Sequence, residues 1–261
     1  MIGSLSRGAA LPALLATVLG LPGPAAGQDE SRDTARPPMV TDRPDFTESA
    51  VAVRSGQLEA GYTLVAADPG DTHRLGEALL RLPAAPGLEV RLGAPSYLWD
   101  DRPPTDDGFG DASVGAKLEL LQGGGAAGRP DVALLVGTSL PVGDRGAEGP
   151  APEARVAAAL PLGPRMGIGV NAGLARPEDA AGRFSELVGS VALGVDAGAG
   201  LGVFAEIYGF ERGGGRPGSS FVDGGVTYGV GPDLQLDARV AAPLEGSDQD
   251  VRLGVGVSVR R

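Results

Sequence analysis

The sequence predicts an all-β fold, an antiparallel transmembrane β-barrel of about twelve strands after an N-terminal signal peptide. Three observations support it: apolar and polar residues alternate along the chain, apolar runs are too short for membrane helices, and connections alternate between long and short. The chain has 261 residues, no cysteine and a formal net charge of −11. Without cysteine, disulfides and thiolate metal sites are excluded, and the acidic balance argues against nucleic acid as a partner.

The first 27 residues have the features of a secretory signal peptide. Arg7 precedes the apolar run AALPALLATVLGL, which is followed by the small-residue stretch PAAG and then Gln28. An apolar run of this length falls short of the ~20 residues that a membrane-spanning helix needs. We therefore predict export across the inner membrane and cleavage between Gly27 and Gln28.

Alternation with a period of two is clearest in DASVGAKLEL, residues 111–120. Val114 and Leu118 fall on one face, and Lys117 and Glu119 fall on the other. Because successive side chains of a strand point to opposite faces, this strand has one apolar and one charged face. Similar runs give twelve predicted strands, at 56–66, 76–82, 87–98, 110–121, 131–140, 153–161, 166–175, 184–195, 200–210, 220–230, 233–241 and 250–259.

The connections between these strands alternate in length. Every odd-numbered connection is long and charged, as in WDDRPPTDDGF, and four of the five even-numbered ones are tight turns such as LGPR. Membrane barrels with both termini in the periplasm have long external loops and short internal turns. The pattern favours a lipid-embedded barrel in the outer membrane of a Gram-negative bacterium over a soluble antiparallel sheet.

The charged face of the predicted strands would line the barrel lumen. Acids outnumber bases on this face, which is consistent with a cation-favouring path and equally with a network of ion pairs that holds the wall together. The candidate residues for the substrate path are Glu59, Glu89, Arg91, Lys117, Glu119, Glu206, Asp223, Asp237, Arg239 and Arg252.

The segment TDRPDFTES precedes the first strand, and it is polar without periodicity. Its charges could pair with lumen residues while its phenylalanine fills an apolar gap, and the alternative is a periplasmic tether. We predict three regions: the signal peptide at 1–27, an N-terminal segment at 28–55 that folds inward as a plug, and the barrel at 56–261. The candidate plug residues are Asp42, Arg43, Asp45, Phe46 and Glu48.

Catalytic and metal-binding motifs are weak in this chain. His73 is the only histidine and lies in a predicted loop, so the Ser-His pair of a barrel phospholipase is not expected. One loop is rich in acids but lacks the spacing of a calcium-binding EF-hand, which favours a solvated loop. Its acids are Asp100, Asp101, Asp106, Asp107 and Asp111. We predict no enzyme, no catalytic residue, no metal site and no cofactor.

A series of motifs occurs in a fixed order along the chain. They are TDRPDFTESA, SGQLEAGYTL, GFGDASVGAKLEL, VGTSLPVG, GVFAEIYG, DGGVTYGVGPDLQLDARV and the terminal GVGVSVRR. Together they resemble the family named for the MetA pathway of phenol degradation, over Thr41 to Arg260. The resemblance implies an outer-membrane transporter-like barrel that passes small, aromatic or hydrophobic molecules.

The partners expected of such a barrel are outer-membrane lipid, a small-molecule solute and the outer-membrane assembly machinery. Two other functions remain open at this point. One is a structural or surface barrel that conducts nothing, and the other is a soluble periplasmic β-protein that binds a lipid.

Overall fold

The computed structural model of the chain describes residues 39–67, 70–101, 107–124, 128–246 and 250–261, so the predicted signal peptide lies outside the described residues. Seventeen strands are present in these ranges. They are β1 (Gln57–Ala66), β2 (Thr72–Leu75), β3 (Leu79–Ala85), β4 (Leu88–Gly93), β5 (Tyr97–Asp100), β6 (Gly108–Phe109), β7 (Ala112–Leu121), β8 (Asp131–Leu140), β9 (Ala151–Pro161), β10 (Met166–Ala175), β11 (Glu178–Asp179), β12 (Gly182–Arg183), β13 (Glu186–Gly198), β14 (Leu201–Arg212), β15 (Ser219–Gly229), β16 (Leu234–Gly246) and β17 (Val251–Arg260).

Twelve of these strands form one closed antiparallel barrel, which confirms the predicted fold class. The order around the barrel is β1-β3-β4-β7-β8-β9-β10-β13-β14-β15-β16-β17, and β17 pairs again with β1. In that last pair Gln57 lies opposite Arg260 and Ala66 lies opposite Val251. Closure satisfies the backbone hydrogen bonds of every wall strand, as a lipid environment demands. No helix in the described ranges is long and apolar enough to span a membrane.

The centres of all twelve predicted strands fall within barrel strands, but several boundaries were wrong. The strand predicted at 76–82 begins at Leu79, after Gly76 adopts a φ of 80°. The strand predicted at 87–98 ends at Gly93 and resumes as β5, because Pro95 has no N–H to continue the ladder. The strand predicted at 233–241 runs on to Gly246 through a bulge.

The two ends of the barrel differ in their connections. At one end, called here the turn end, strands join through tight turns such as Pro86–Gly87 and Ala199–Gly200. Ala199 has a φ of 52°, and both of its glycine neighbours also have positive φ, which this tight turn requires. The opposite end is the loop end, where the long charged connections lie. The first strand begins and the last strand finishes at the turn end.

Short strands extend the wall at the loop end. β2 pairs with the far half of β1, β5 pairs with β2, and β6 pairs with β5. Rings on the outer face of this extension contact one another; for example, His73 stacks on Trp99 with centroids 4.5 Å apart. We call this group the rim cluster; it consists of Tyr62, His73, Tyr97, Trp99 and Phe109.

The barrel has the polarity of a membrane protein, with apolar side chains outside and charges inside. On β7, Leu118 is 43% exposed on the outer face whereas Lys117 is fully buried. Arg81, Glu59 and Glu89 are also fully buried inside the barrel. A soluble sheet would bury the leucines instead, so this arrangement is that of a protein whose outer surface contacts lipid tails.

Candidate functional site

Residues 41–53 lie inside the barrel, and we call them the lumen segment. A cavity of about 530 Å³ lies on its loop-end side and is lined by Glu48, Arg91 and Arg155, among others. Two cavities of about 500 and 390 Å³ lie on its turn-end side, and Asp45 lines both. Glu48 lines a cavity on each side. The lumen segment therefore stands between an outer and an inner chamber.

The carboxylate of Asp42 is held by three bases of the wall, and we call this group the Asp42 cluster. Lys117 Nζ donates to both Asp42 oxygens, at 2.9 and 2.8 Å. Arg81 Nε lies 3.3 Å from Asp42 Oδ2, and Arg91 donates to the same oxygen. Lys117 also donates to Ser49 Oγ at 3.0 Å. These bases come from three adjacent barrel strands, so one acid of the segment joins β3, β4 and β7.

Wall acids complete the attachment by accepting hydrogen bonds from the backbone of the lumen segment. Glu59 accepts from the Asp42 N–H, with both oxygens at 3.1 Å. Glu89 accepts from the Val53 N–H at 2.9 Å, and Glu119 accepts from the Ala52 N–H at 2.9 Å. Buried N–H groups need such partners, and charged acceptors make the bonds stronger than neutral ones.

The electrostatics of this attachment keep Asp42 ionised. Burial alone would favour the neutral acid, but the positive charges of Arg81, Lys117 and Arg91 outweigh it and hold the pKa of Asp42 well below its usual value. Asp42 is therefore a fixed negative charge over the physiological pH range.

The other half of the lumen segment is attached through aromatic rings, and we call this group the ring site. The ring of Phe46 stacks on Tyr208, with centroids 4.5 Å apart and an interplanar angle of 13°. Tyr208 stacks on Phe221 at 5.0 Å, and Phe210 meets Phe46 edge-on at 5.3 Å. Tyr208 and Phe221 are buried, whereas Phe46 is only partly buried. The guanidinium of Arg155 lies over the Phe46 ring, 5.1 Å from its centroid.

Polar contacts fix the backbone on both sides of the Phe46 ring. Glu206 accepts from the Phe46 N–H at 2.7 Å and also from the Thr47 hydroxyl. The Thr47 and Ser190 hydroxyl oxygens are 2.7 Å apart. Arg239 donates to the Pro44 carbonyl at 2.8 Å and lies 3.2 Å from Asp223.

Two acids of the lumen segment have pKa values opposite in direction to that of Asp42. Burial raises the pKa of Asp45 well above its usual value, and the negative charge of Glu206 adds to the shift. Burial also raises the pKa of Glu48, with a contribution from the charge of Asp42 that Arg91 opposes. Protonation of these two acids therefore favours the inward position of the segment.

Arg43 lies across the seam where the first and last barrel strands meet. Its guanidinium lies 3.4 Å from Asp237 and donates to the Val255 carbonyl at 3.2 Å. A Cβ on Gly61 or Gly256, which face each other across the seam, would fall within 2.4 Å of that guanidinium. The two glycines make room for the arginine, a role typical of glycine where another group approaches a strand closely.

The structure places all ten sequence-derived path candidates on the inner face, and it brings most of them into contact with the lumen segment. Arg252 lies over the ring of Phe221, 4.3 Å from its centroid. Sequence reasoning did not select Tyr208, Phe210 and Phe221 as site residues. A signal for Tyr208 and Phe210 was present, since both follow Glu206 at alternate positions and so share its inward face.

His73 and Asp100, a described acid of the acidic loop, make polar contacts at the loop end of the wall. His73 Nδ1 lies 2.7 Å from the Tyr62 hydroxyl on the outer face of the wall. Asp100 of the acidic loop accepts from Thr72 and Arg145. Asp106 lies outside the described residues. Across the described ranges, no group of three or more acids and histidines is placed to hold a metal ion.

The family model described as "Putative MetA-pathway of phenol degradation" matches residues 41–260 of the chain. The chain belongs to this family. The match begins at the lumen segment and includes every barrel strand, so in this member the segment is part of the family domain. A search of curated proteins gives no match.

Solved structures share the fold of this family member at low sequence identity. An outer-membrane channel from Pseudomonas putida F1 superimposes with a TM-score of 0.60 at 10% identity, covering 84% of this chain and 99% of that chain. The NanC porin gives a TM-score of 0.55 at 10% identity, with 79% and 100% covered. The KdgM porin gives 0.55 at 10% identity, with 78% and 99% covered. The protein thus has the fold of an outer-membrane β-barrel.

Proposed function

We propose that the protein is an outer-membrane channel for small, aromatic or hydrophobic molecules, and that the lumen segment is its plug. The observation that carries this proposal is the position of residues 41–49 between an outer chamber of about 530 Å³ and inner chambers of about 500 and 390 Å³. Chambers of this size fit single small solutes. The fold shared with an outer-membrane channel and two porins supports passage through the lumen.

The chemistry of the lumen segment supports a plug that moves as a unit. Its attachments are side-chain hydrogen bonds, ion pairs and ring contacts, whereas the wall is held by backbone ladders that do not include it. Displacement of the segment would therefore leave the barrel closed and intact. The family resemblance supports aromatic or hydrophobic solutes, and the aromatic side chains at the ring site agree with it.

The proposal assigns transport to this barrel and no catalytic step. Proteins with the same fold include channels and porins. We also propose that outer-membrane assembly machinery inserts the chain, since strands of a closed barrel expose unpaired backbone groups to lipid until the last pair forms.

A disulfide lock tests the plug directly, because the chain has no native cysteine. The side-chain oxygens of Thr47 and Ser190 are 2.7 Å apart, so Thr47→Cys with Ser190→Cys places two sulfurs within reach of a disulfide. We expect the oxidised double variant to abolish conductance in planar bilayers and reduction to restore it. Deletion of 41–49 is expected to give conductance well above that of the unmodified protein.

The single variants Thr47→Cys and Ser190→Cys are the matched controls, and neither should respond to oxidant. Heat-dependent gel migration verifies that each variant forms a closed barrel. No conductance from the parent, the reduced lock or the deletion form would instead support a barrel that conducts nothing, and equal conductance of all forms would overturn the plug. The dense bonding of Asp42 is the observation that favours this second candidate.

A further inference from the structure

The ring of Phe46 occupies a place on the wall that is built for an aromatic ring. The chain has six phenylalanines, four tyrosines and one tryptophan. Three of them (Tyr208, Phe210 and Phe221) converge on one part of the inner wall and meet Phe46 there. A barrel wall derives its stability from paired strands, so a stack of rings on the inner wall is not needed to hold it together.

The contacts of Phe46 are those of ring recognition, beyond simple apolar burial. One face of the ring stacks on Tyr208 and an edge contact comes from Phe210. The guanidinium of Arg155 lies over the ring within cation–π distance. Offset stacking, edge contacts and cation–π contacts all depend on a π system, which a saturated ring lacks.

The ring site is next to the outer chamber. Arg155 lines that chamber and also lies over Phe46, and Phe46 is itself only partly buried. A solute that enters from the loop end therefore meets Arg155 and then the ring of Phe46. Phe46 belongs to the lumen segment, so a ring that takes its place removes the ring contacts that hold this part of the segment.

The charges around the ring site select against ionised solutes. Arg155, Arg239 and Arg252 supply positive charge, while Glu206 and Asp223 supply negative charge. A charged solute would meet charges of both signs there, and it would lose its hydration on entry to a lumen of low dielectric. An uncharged aromatic ring meets neither penalty.

We propose that the ring site binds an uncharged, single-ring aromatic solute, which displaces Phe46 and thereby releases the plug. Phe46 acts as an internal stand-in for the solute ring, so the solute opens its own path. The release step rests on the proposed function of the lumen segment as a plug, whereas ring binding at Tyr208 and Phe221 does not.

The test uses a cysteine on the wall as a reporter of plug position. Ser190 is buried beneath Thr47, so a cysteine in Ser190→Cys reacts slowly with a water-soluble maleimide while the segment is docked. Benzyl alcohol is the aromatic probe, and cyclohexylmethanol is the saturated probe with the same hydroxymethyl group. Benzoate and benzylammonium are the charged probes, and all four are applied to the full barrel in detergent micelles.

We expect benzyl alcohol to raise the labelling rate saturably by about two- to tenfold, the range that one to two aromatic contacts provide. Cyclohexylmethanol, benzoate and benzylammonium should each give a smaller increase. In Ser190→Cys with Phe46→Ala, the ring site is already vacant, so labelling should be fast without any probe and benzyl alcohol should slow it by occupying the site. Tyr208→Leu with Ser190→Cys should lose the difference between benzyl alcohol and cyclohexylmethanol.

Equal responses to benzyl alcohol and cyclohexylmethanol would overturn the ring site, as would a stronger response to either ion. Failure of this proposal is distinguishable from failure of the channel. If the disulfide lock abolishes conductance but the aromatic and saturated probes give equal responses, the plug is supported and the ring site is refuted. If benzyl alcohol protects the cysteine in the Phe46→Ala background but the disulfide lock does not alter conductance, the ring site is supported and the plug is refuted.

Discussion

The Asp42 cluster and the ring site attach the lumen segment through opposite kinds of chemistry. At the Asp42 cluster, one carboxylate is enclosed by three bases from β3, β4 and β7, with Lys117 Nζ 2.8 Å from the nearer oxygen. At the ring site, Phe46 stacks on Tyr208 at 4.5 Å and contacts Phe210 edge-on. The first attachment needs an acid at one fixed point, whereas the second needs only a flat ring.

This difference decides which of the two contacts an aromatic solute can replace. A small carboxylate could pair with the three bases, but it would not supply the backbone N–H that Asp42 donates to Glu59. A solute with an aromatic ring can stack on Tyr208 in place of Phe46. In the proposed release, the Asp42 cluster is the hinge of the segment and the ring site is its latch.

The largest effect is expected from Asp42→Asn. The change leaves Lys117 and Arg81 in a buried site without their shared counter-charge, which costs about 3–5 kcal/mol when a buried pair loses one partner. The docking equilibrium should therefore shift by more than about a hundredfold. Planar-bilayer conductance should approach that of the form lacking 41–49.

Asp179→Asn is the matched control for that change. Asp179 is paired with Arg216 in the loop-end hairpin, away from the lumen segment, and it loses the same single charge on substitution. Its conductance should equal that of the unmodified protein. If Asp42→Asn behaves like Asp179→Asn, the Asp42 cluster does not hold the segment.

An intermediate effect is expected from Phe46→Ala. Loss of the stacked and edge-on contacts weakens docking by about 2 kcal/mol, less than the loss of the buried charge. Phe46→Leu retains apolar volume without a π system and should lie between the alanine variant and the parent. Conductance and the Ser190→Cys labelling rate measure both. Phe184→Ala, which removes a ring that contacts Arg216 at the loop end, is the control expected to change neither.

The smallest effect is a pH dependence that Asp45→Asn should reduce. The pKa of Asp45 is raised in the docked segment, so docking takes up a proton. The contribution of Asp45 protonation to docking of the segment is fully present below the usual pKa of 3.8, and it is lost as pH rises through the raised pKa. Conductance should therefore fall as pH is lowered through the raised pKa of Asp45 toward 3.8.

Asp42 does not cancel this trend within that window. Its pKa is lowered, so its contribution to docking is present above 3.8 and is lost only as pH falls through the lowered value. Asp45→Asn should show lower conductance than the parent at neutral pH and a flatter pH profile. A profile that is unchanged by Asp45→Asn would assign the dependence to the other acids of the lumen.

Period-two alternation predicted the barrel and its inward charges because each strand obeys a local rule. The assignment of Lys117 to the inner face required only its neighbours Val114 and Leu118. Strand ends were less predictable near a proline or glycine. Pro95 ends β4 early, whereas β16 continues through Pro243 beside a bulge. The sequence alone does not indicate which of these outcomes a proline produces.

The contacts between the lumen segment and the wall form only when the barrel closes, and no local sequence pattern specifies them. Asp42 and Lys117 are 75 positions apart, and Phe46 and Glu206 are 160 positions apart. Tyr208 and Phe221 lie in predicted strands, but aromatic residues are also frequent on lipid-facing positions of barrels. The ring site therefore became recognisable only when the strands were placed around the lumen segment.

The rim cluster has a consequence for how the barrel sits in the bilayer. Its rings, including Trp99 and Tyr97, face outward at the loop end beside β1 and β4, whereas Tyr228 is exposed near the turn end of β15. Tyrosine and tryptophan prefer the depth of lipid headgroups, and such anchors set the tilt of a membrane protein. With one anchor at the outer leaflet and another at the inner leaflet on different sides, the barrel axis is expected to incline from the membrane normal.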